Sequence, residues 1–385
     1  MDNKRRHSRA AILTWCYQGE INYGQIFQCY AMQTVVKRLG FNPVVIRYRR
    51  RTTGESRWGN RTWGILTDLY ELWYRLKKVE HKIDLRIIRF ICFIKDNILL
   101  SKQCYTKEQV EKVCGGCDIL FCGSDQIWNP LCFDDVYFLN FGTKQQKRIA
   151  YAPSGIWKDN GQPDEFYEEV GRYISRFNVV TVREKESKEI LNKYTEQRIR
   201  DVVDPTLLLS QEEWNQAAAG VPEKEAYIFC YFLGRIRAHK LLLKKIMKDL
   251  GVKKVLFITV GEYAEENNLS AEEEFIPVNN AGPAEFITLV RYAQAICTDS
   301  FHGIAFSVIY QKQFYIFRRN TLHRHPGANM ARQENLLLQL GIRENRVVTC
   351  GRDLAGMMPV NYQNVRTDRL WEEVKDMMEE CLHDR

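Results

Sequence analysis

Asp299, Ser300, His302 and Gly303 put an acid, a hydroxyl, an imidazole and a glycine within five positions. They lie in CTDSFHGIAFSVIY. Upstream, Ala295, Ile296 and Cys297 read as the end of a short buried strand, and downstream IAFSVIY keeps its apolar residues at helical spacing. At such a strand-to-helix turn these residue types admit two readings. In the first, Ser300 caps the helix and Gly303 allows close backbone approach, so that the turn is purely mechanical. In the second, free N–H groups and the positive end of the helix dipole seat a phosphate among Asp299, Ser300 and Gly303, and His302 faces whatever sits there.

The elements that position such a turn can be read along the whole chain. AAILTWC reads as a strand, INYGQIFQCYAMQTVVKRLG as a glycine-terminated helix and FNPVVIRY as a second strand, a β-α-β opening that predicts parallel strands. Strands are expected at CDILFCG, KRIAYAP, NVVTVRE and RDVVDPTLLL, then at YIFCYFL, KKVLFITV, QAICTDS and KQFYIF, with helices between most of them. Two such series, joined near residues 205 to 222, predict an α/β protein of two Rossmann-like lobes with a central cleft. The expected divisions are an N-terminal lobe over 1–205 and a C-terminal lobe over 206–365. A helical, basic and aromatic insertion falls at about 57–115, and a last helix over 366–385 packs back on the first lobe. Ligands of this architecture bind outside the carboxyl ends of the strands. The polar residues there are Gly123, Ser124, Asp125, Gln126, Ser154, Arg183, Glu184, Asp204 and the Asp299–Gly303 turn. There is no lysine-bearing phosphate loop and no G-x-G-x-x-G fingerprint.

Composition narrows the class further. The chain has 385 residues, 45% hydrophobic and 27% charged, enough for two packed cores and too apolar for a largely disordered chain. No apolar run approaches the length of a bilayer span, and the basic start MDNKRRHSR leads into no secretory leader, so a cytoplasmic protein is expected. The net charge of +8, with a concentration at Arg47–Arg51, implies acidic ligands: phosphates, carboxylates or anionic lipid head groups. The twelve cysteines read as reduced core thiols. Cys104, Cys114, Cys117 and Cys122 contain a C-x-x-C, but Cys122 ends a strand whose side chains alternate faces, which disfavours one zinc loop.

Six motifs in order resemble the polysaccharide pyruvyl transferase family: NYGQIFQCYAMQ (Asn22 to Gln33), GSDQIWNP (Gly123 to Pro130), RIAYAPS, TVRE (Thr181 to Glu184), VDPTLLL (Val203 to Leu209) and TDSFHG (Thr298 to Gly303). The resemblance implies a glycosyltransferase-B-like fold and transfer of pyruvate from phosphoenolpyruvate onto two hydroxyls of a capsule or exopolysaccharide sugar, closing a cyclic ketal without a metal or cofactor. It implies that His302 is the general acid that protonates the donor's methylene carbon, held charged by the donor phosphate. In many relatives an arginine and a leucine precede the histidine. Here Ser300 and Phe301 stand there, which leaves the anion clamp one cation short, and Arg183 and Arg332 are the expected substitutes. Asn22, Gly24, Ser124, Asp125 and Gln126 are expected on the acceptor side, and Asp204, before Pro205, as a structural hinge residue.

Two other functions remain open at this level. One is a nucleotide-sugar-dependent glycosyltransferase of the same fold, with Glu262 or Glu265 gripping a ribose. The other is a non-catalytic sugar- or anion-binding component of polysaccharide assembly. The basic aromatic segment from Arg57 to Leu100, with Trp58, Trp63, Tyr70, Trp73 and Tyr74, fits either packing on the sheet or a lipid-linked acceptor at the inner membrane face. No nucleic-acid module is recognisable.

Overall fold

The computed structural model describes residues 8–16, 21–50, 85–158, 160–220, 223–260, 272–320, 330–365 and 369–383. Most of the aromatic segment, with Trp58, Trp63, Tyr70, Trp73 and Tyr74, and the two glutamates Glu262 and Glu265 lie outside the described residues.

Two six-stranded sheets, every pairing parallel, carry the architecture. In the first lobe run β1 (Arg9–Leu13), α1 (Tyr23–Arg38), β2 (Asn42–Val45), α2 (Leu85–Asn97), α3 (Lys107–Cys114), β3 (Ile119–Cys122), β4 (Lys147–Ala150), α4 (Asp164–Ile174), β5 (Val179–Val182), α5 (Lys185–Leu191) and β6 (Ile199–Asp201). The second lobe follows with α6 (Gln211–Gln216), β7 (Tyr227–Phe232), α7 (Lys240–Leu250), β8 (Lys254–Thr259), β9 (Phe275–Pro277), α8 (Pro283–Tyr292), β10 (Ala295–Thr298), α9 (Phe301–Ile309), β11 (Gln313–Phe317), α10 (Ala331–Leu340), β12 (Val347–Val348), α11 (Gly351–Ala355) and α12 (Leu370–His383). The strand orders are β2-β1-β3-β4-β5-β6 and β12-β11-β10-β7-β8-β9. This is a glycosyltransferase-B-like pair of Rossmann-like lobes.

Local chemistry explains the elements. ILFC, VVTV, YIFCYF and AICT are buried along their whole length, as parallel strands covered on both faces must be. Helix α1 starts where the Asn22 side chain accepts from the Gln25 amide at 3.1 Å and ends before Gly40, whose φ of 87° suits a residue without Cβ. The expected strand RDVVDPTLLL stops at Asp201. From Pro205 to Leu208 the chain coils into a 3-10 turn instead, because Asp204 accepts from both the amide (3.0 Å) and the hydroxyl (2.8 Å) of Thr206, and Pro205 suits a first helical position. The short strands β9 and β12 escape a periodicity reading, since two or three residues define no period.

Cys104, Cys114, Cys117 and Cys122 are buried free thiols, and burial pushes each of them above the ordinary thiol range. Among the described residues no three metal-ligating side chains converge. Also among the described residues, no helix is long and apolar enough to cross a membrane.

The lobes share one apolar core, centred on α1. Phe27 lies 4.5 Å from Phe306 of α9, 5.2 Å from Phe286 of α8 and 5.6 Å from Trp214 of α6, ring centre to ring centre. Tyr23 packs 5.0 Å from Phe286, and its hydroxyl donates to the Ala281 carbonyl. At the far side Arg38 stacks over Trp371 of α12 at 5.0 Å and pairs with Glu213 of α6. Phe27→Ala should therefore lower the stability of the whole chain by about 3–5 kcal/mol in urea unfolding, because the lost ring serves both lobes.

Candidate active site

Each sheet reverses its strand order once, at β1/β3 in the first lobe and at β10/β7 in the second. Such switch points open a crevice at the carboxyl ends of the strands. Here the two face each other. A Cβ added to Gly24, at the start of α1, would stand 2.1 Å from Nδ1 of His302, at the start of α9, so the imidazole packs directly on bare backbone of the other lobe. Only glycine fits at position 24.

The turn after β10 is built chiefly for rigidity. Thr298 donates to the Tyr231 carbonyl at 2.6 Å and accepts from the Ser300 amide at 3.0 Å. Asp299 accepts from the amides of Leu233 (2.7 Å) and Gly234 (2.8 Å), which fixes the loop after β7. Its carboxylate is thus committed to the scaffold, a correction to the expected donor contact. Ser300 makes no side-chain cap; its hydroxyl meets the Tyr231 side chain. Gly303 is required because a Cβ there would meet the Thr298 hydroxyl at 2.2 Å, so it serves close packing and not a phosphate seat.

What this rigid turn presents is His302. The residue is 9% exposed, its Nε2 is buried without a hydrogen bond, and Asp204 Oδ2 lies 3.8 Å away. Asp204 is the hub of the pocket and corrects the hinge reading. Besides Thr206, it accepts from Arg183 at 2.9 Å and from the Ser124 hydroxyl at 3.2 Å. Arg183 in turn donates to Glu184 at 3.1 Å, Glu184 accepts from Ser154 at 2.6 Å, and the guanidinium lies 4.5 Å from the centre of the Phe301 ring. Arg183 is 2% exposed. With its fork bound to two carboxylates, it holds the site together and is not the open substrate clamp expected from the sequence. Ser124, fully buried and donating also to Ala152, likewise belongs to the framework and not to an acceptor surface.

Charge is distributed unevenly. Burial alone would push the Arg183 guanidinium down, but Glu184, Asp204 and Asp125 outweigh it and raise it, so it is a fixed cation. Burial pushes Asp204 up, yet His302, Arg183 and Thr206 together hold it below the usual carboxylate range. For His302 burial prevails: the imidazole is lowered despite Asp204, and Arg183 adds to the lowering. These groups by themselves favour the neutral histidine, and the imidazolium expected from the sequence needs an added anion.

A cation stands ready for that anion. Arg332, near the start of α10, makes no hydrogen bond or ion pair among the described residues, and burial together with Arg183 and Arg319 disfavours its charge more than Glu184 and Asp125 favour it. A guanidinium stays protonated regardless, and the pull of Glu184 and Asp125 only partly offsets burial and the two neighbouring arginines. Arg319, which the sequence reading passed over, follows β11 with its Nε buried, unbonded and 3.7 Å from Asp299. Helix α10 is latched to the first lobe, since Asn335 and Gln339 donate to the Arg183 carbonyl at 3.1 and 3.3 Å. On the opposite wall Asp125 is 7% exposed, and one of its carboxylate oxygens accepts from the Gln126 amide at 2.8 Å. Gln126 accepts from Asn129 at 3.3 Å, and Asn22 lies exposed at the rim with its side chain capping α1. Asp204, Glu184 and Thr206 gain their roles only through the fold. The sequence signal for Asp204 was its place directly after a strand.

A solved structure supports the fold. The UDP-GlcNAc 2-epimerase from Methanocaldococcus jannaschii is similar with a TM-score of 0.53 at 11% identity, over 96% of this chain and 99% of that one. The UDP-GlcNAc 2-epimerase from Neisseria meningitidis bound to UDP-GlcNAc gives 0.46 at 13%, over 96% and 91%. The wall teichoic acid polymerase TagF gives 0.44 at 12%, over 97% and 88%. No curated protein matches the sequence. The profile of the family described as polysaccharide pyruvyl transferase matches residues 22–321, which include His302, Arg183, Asp204 and Gly24. The chain belongs to the polysaccharide pyruvyl transferase family.

Proposed function

We propose that this protein transfers the pyruvyl group of phosphoenolpyruvate to two hydroxyls of a sugar in a bacterial capsule or exopolysaccharide repeat unit, forming a cyclic ketal. The observation that carries this reading is His302, unbonded at Nε2 3.8 Å from Asp204, within electrostatic reach of the Arg332 guanidinium, which makes no hydrogen bond among the described residues. A site with a free cation and a protonatable imidazole suits a donor that is an anion and must be protonated on carbon.

The chemistry follows from these groups. The donor's phosphate and carboxylate pair with Arg332, helped by Arg319, and their charge raises His302 into its imidazolium form. His302 donates its proton to the methylene carbon, and positive charge builds at the central carbon. A sugar hydroxyl attacks there, phosphate departs, and a second hydroxyl closes the ring. Asp204 orients the imidazole and stabilises the imidazolium, and Arg183 keeps Asp204 ionised. An acceptor presented at the inner face of the membrane suits the basic residues Arg47, Arg49 and Arg50.

His302→Gln should reduce acceptor-dependent phosphate release from phosphoenolpyruvate by at least about a hundredfold, the scale for loss of a general acid. Undiminished release would remove His302 from the reaction, and a requirement for a nucleotide sugar would favour a glycosyltransferase. Donor binding raises a pKa that starts below its ordinary value, so it takes up a proton. Affinity for phosphoenolpyruvate should fall as the pH rises from the free towards the bound pKa of His302, with proton uptake visible as a buffer-dependent enthalpy in titration calorimetry. Arg332→Ala should weaken donor binding by about 1.5–3 kcal/mol, the worth of a charged hydrogen bond, or about ten- to hundredfold. Gly24→Ala should abolish turnover by displacing the imidazole while the chain still folds, as judged by circular dichroism.

A further inference from the structure

Ketal closure has a proton count that His302 alone does not satisfy. Two C–O bonds form at the central carbon of phosphoenolpyruvate and one, to phosphate, breaks. Both sugar hydroxyls lose a proton, the methylene carbon gains one, and the other leaves with the phosphate. His302 gives its proton to carbon and recovers one from the first hydroxyl. The second hydroxyl needs another base at the moment of attack.

Three of the four carboxylates around the pocket are already engaged. Asp204 holds Arg183, Ser124 and Thr206; Glu184 holds Arg183 and Ser154; Asp299 holds two backbone amides. Asp125 differs. Its Oδ1 accepts from the Gln126 amide, and its Oδ2 makes no hydrogen bond among the described residues. Its backbone also stands apart. With φ 68° and ψ −179°, Asp125 occupies a region that only glycine adopts without strain, and such residues persist where the surroundings enforce them, most often at functional sites. The strain is held by the Ser154 amide, which donates to the Asp125 carbonyl at 2.8 Å. The charged and titratable groups that feel this carboxylate are Arg183 from its own lobe, His302 and Arg332 from the other, and Cys132 on the following turn.

We infer that Asp125 is a second catalytic residue, the base that takes the proton of the second sugar hydroxyl as the ring closes and hands it to the phosphate, which leaves with it, and that the strained backbone holds its free oxygen towards the acceptor. The inference rests on the pyruvyl-transfer reading. It assigns the two lobes complementary work: His302 on the donor side supplies a proton to carbon, and Asp125 on the acceptor side removes one from oxygen.

The test uses the full chain with phosphoenolpyruvate and a panel of sugar acceptors. Asp125→Asn and Asp125→Gly should both bind phosphoenolpyruvate within about threefold of wild type by calorimetry yet release phosphate at least about a hundredfold more slowly, a loss in kcat and not in donor binding. Because glycine relieves the backbone strain, Asp125→Gly should melt no lower than wild type, which separates lost chemistry from lost folding. Added formate should restore part of the Asp125→Gly rate and leave wild type unchanged. Turnover by Asp125→Asn within about tenfold of wild type would overturn the assignment while the pyruvyl reading stands. Wild-type protein that neither binds phosphoenolpyruvate nor releases phosphate would remove both.

Discussion

The pairing of Arg183 with Asp204 is the constraint on which the rest of the site depends. Taking both charges out of water costs several kcal/mol per ion, and only a complete set of partners makes the arrangement tolerable. That set is present. Glu184 and the Phe301 ring complete the guanidinium's surroundings, while Thr206 and Ser124 saturate the carboxylate. The result is an anion that remains ionised in the interior, 3.8 Å from the one histidine of the turn after β10. A carboxylate less well held would take the proton itself and leave the imidazole without a partner.

The second constraint is the seam between the lobes. His302 and Arg332 belong to one lobe, and Asp204, Arg183, Asp125 and Gly24 to the other, so the pocket exists only while the two are in register. The shared aromatic core around Phe27 and Tyr23 supplies that register, and the bonds from Asn335 and Gln339 to the Arg183 carbonyl add a polar latch. Contact of the imidazole with Gly24 leaves no slack between the lobes at His302. The site is thus pre-organised by packing, and it keeps at Arg332 a buried guanidinium that makes no hydrogen bond among the described residues.

Much of the fold was legible because parallel strands buried on both faces appear as short continuous apolar runs, and the helices between them carry their own signals, as with Asn22 and Gly40 around α1. The same reading found the His302 turn, since polar residues that follow a buried strand are few. It went astray where one side chain has two local uses. Asp299, Ser300 and Gly303 look like a phosphate seat, and each is occupied by a neighbour: two amides after β7, the Tyr231 side chain, and the Thr298 hydroxyl. Asp204 looked like a hinge because proline follows it, and its partners Arg183, Ser124 and His302 are far away in the chain.

By itself, the order of apolar runs, caps and glycines determined two parallel α/β lobes and put His302, Asp125 and Arg183 at the carboxyl ends of their strands, because hydrophobic period and backbone geometry act over a few residues. Tertiary structure decided which of those side chains are free. An ion pair is a contact between residues distant in sequence, and burial, which sets its strength and the charge of the histidine beside it, is a property of the assembled core.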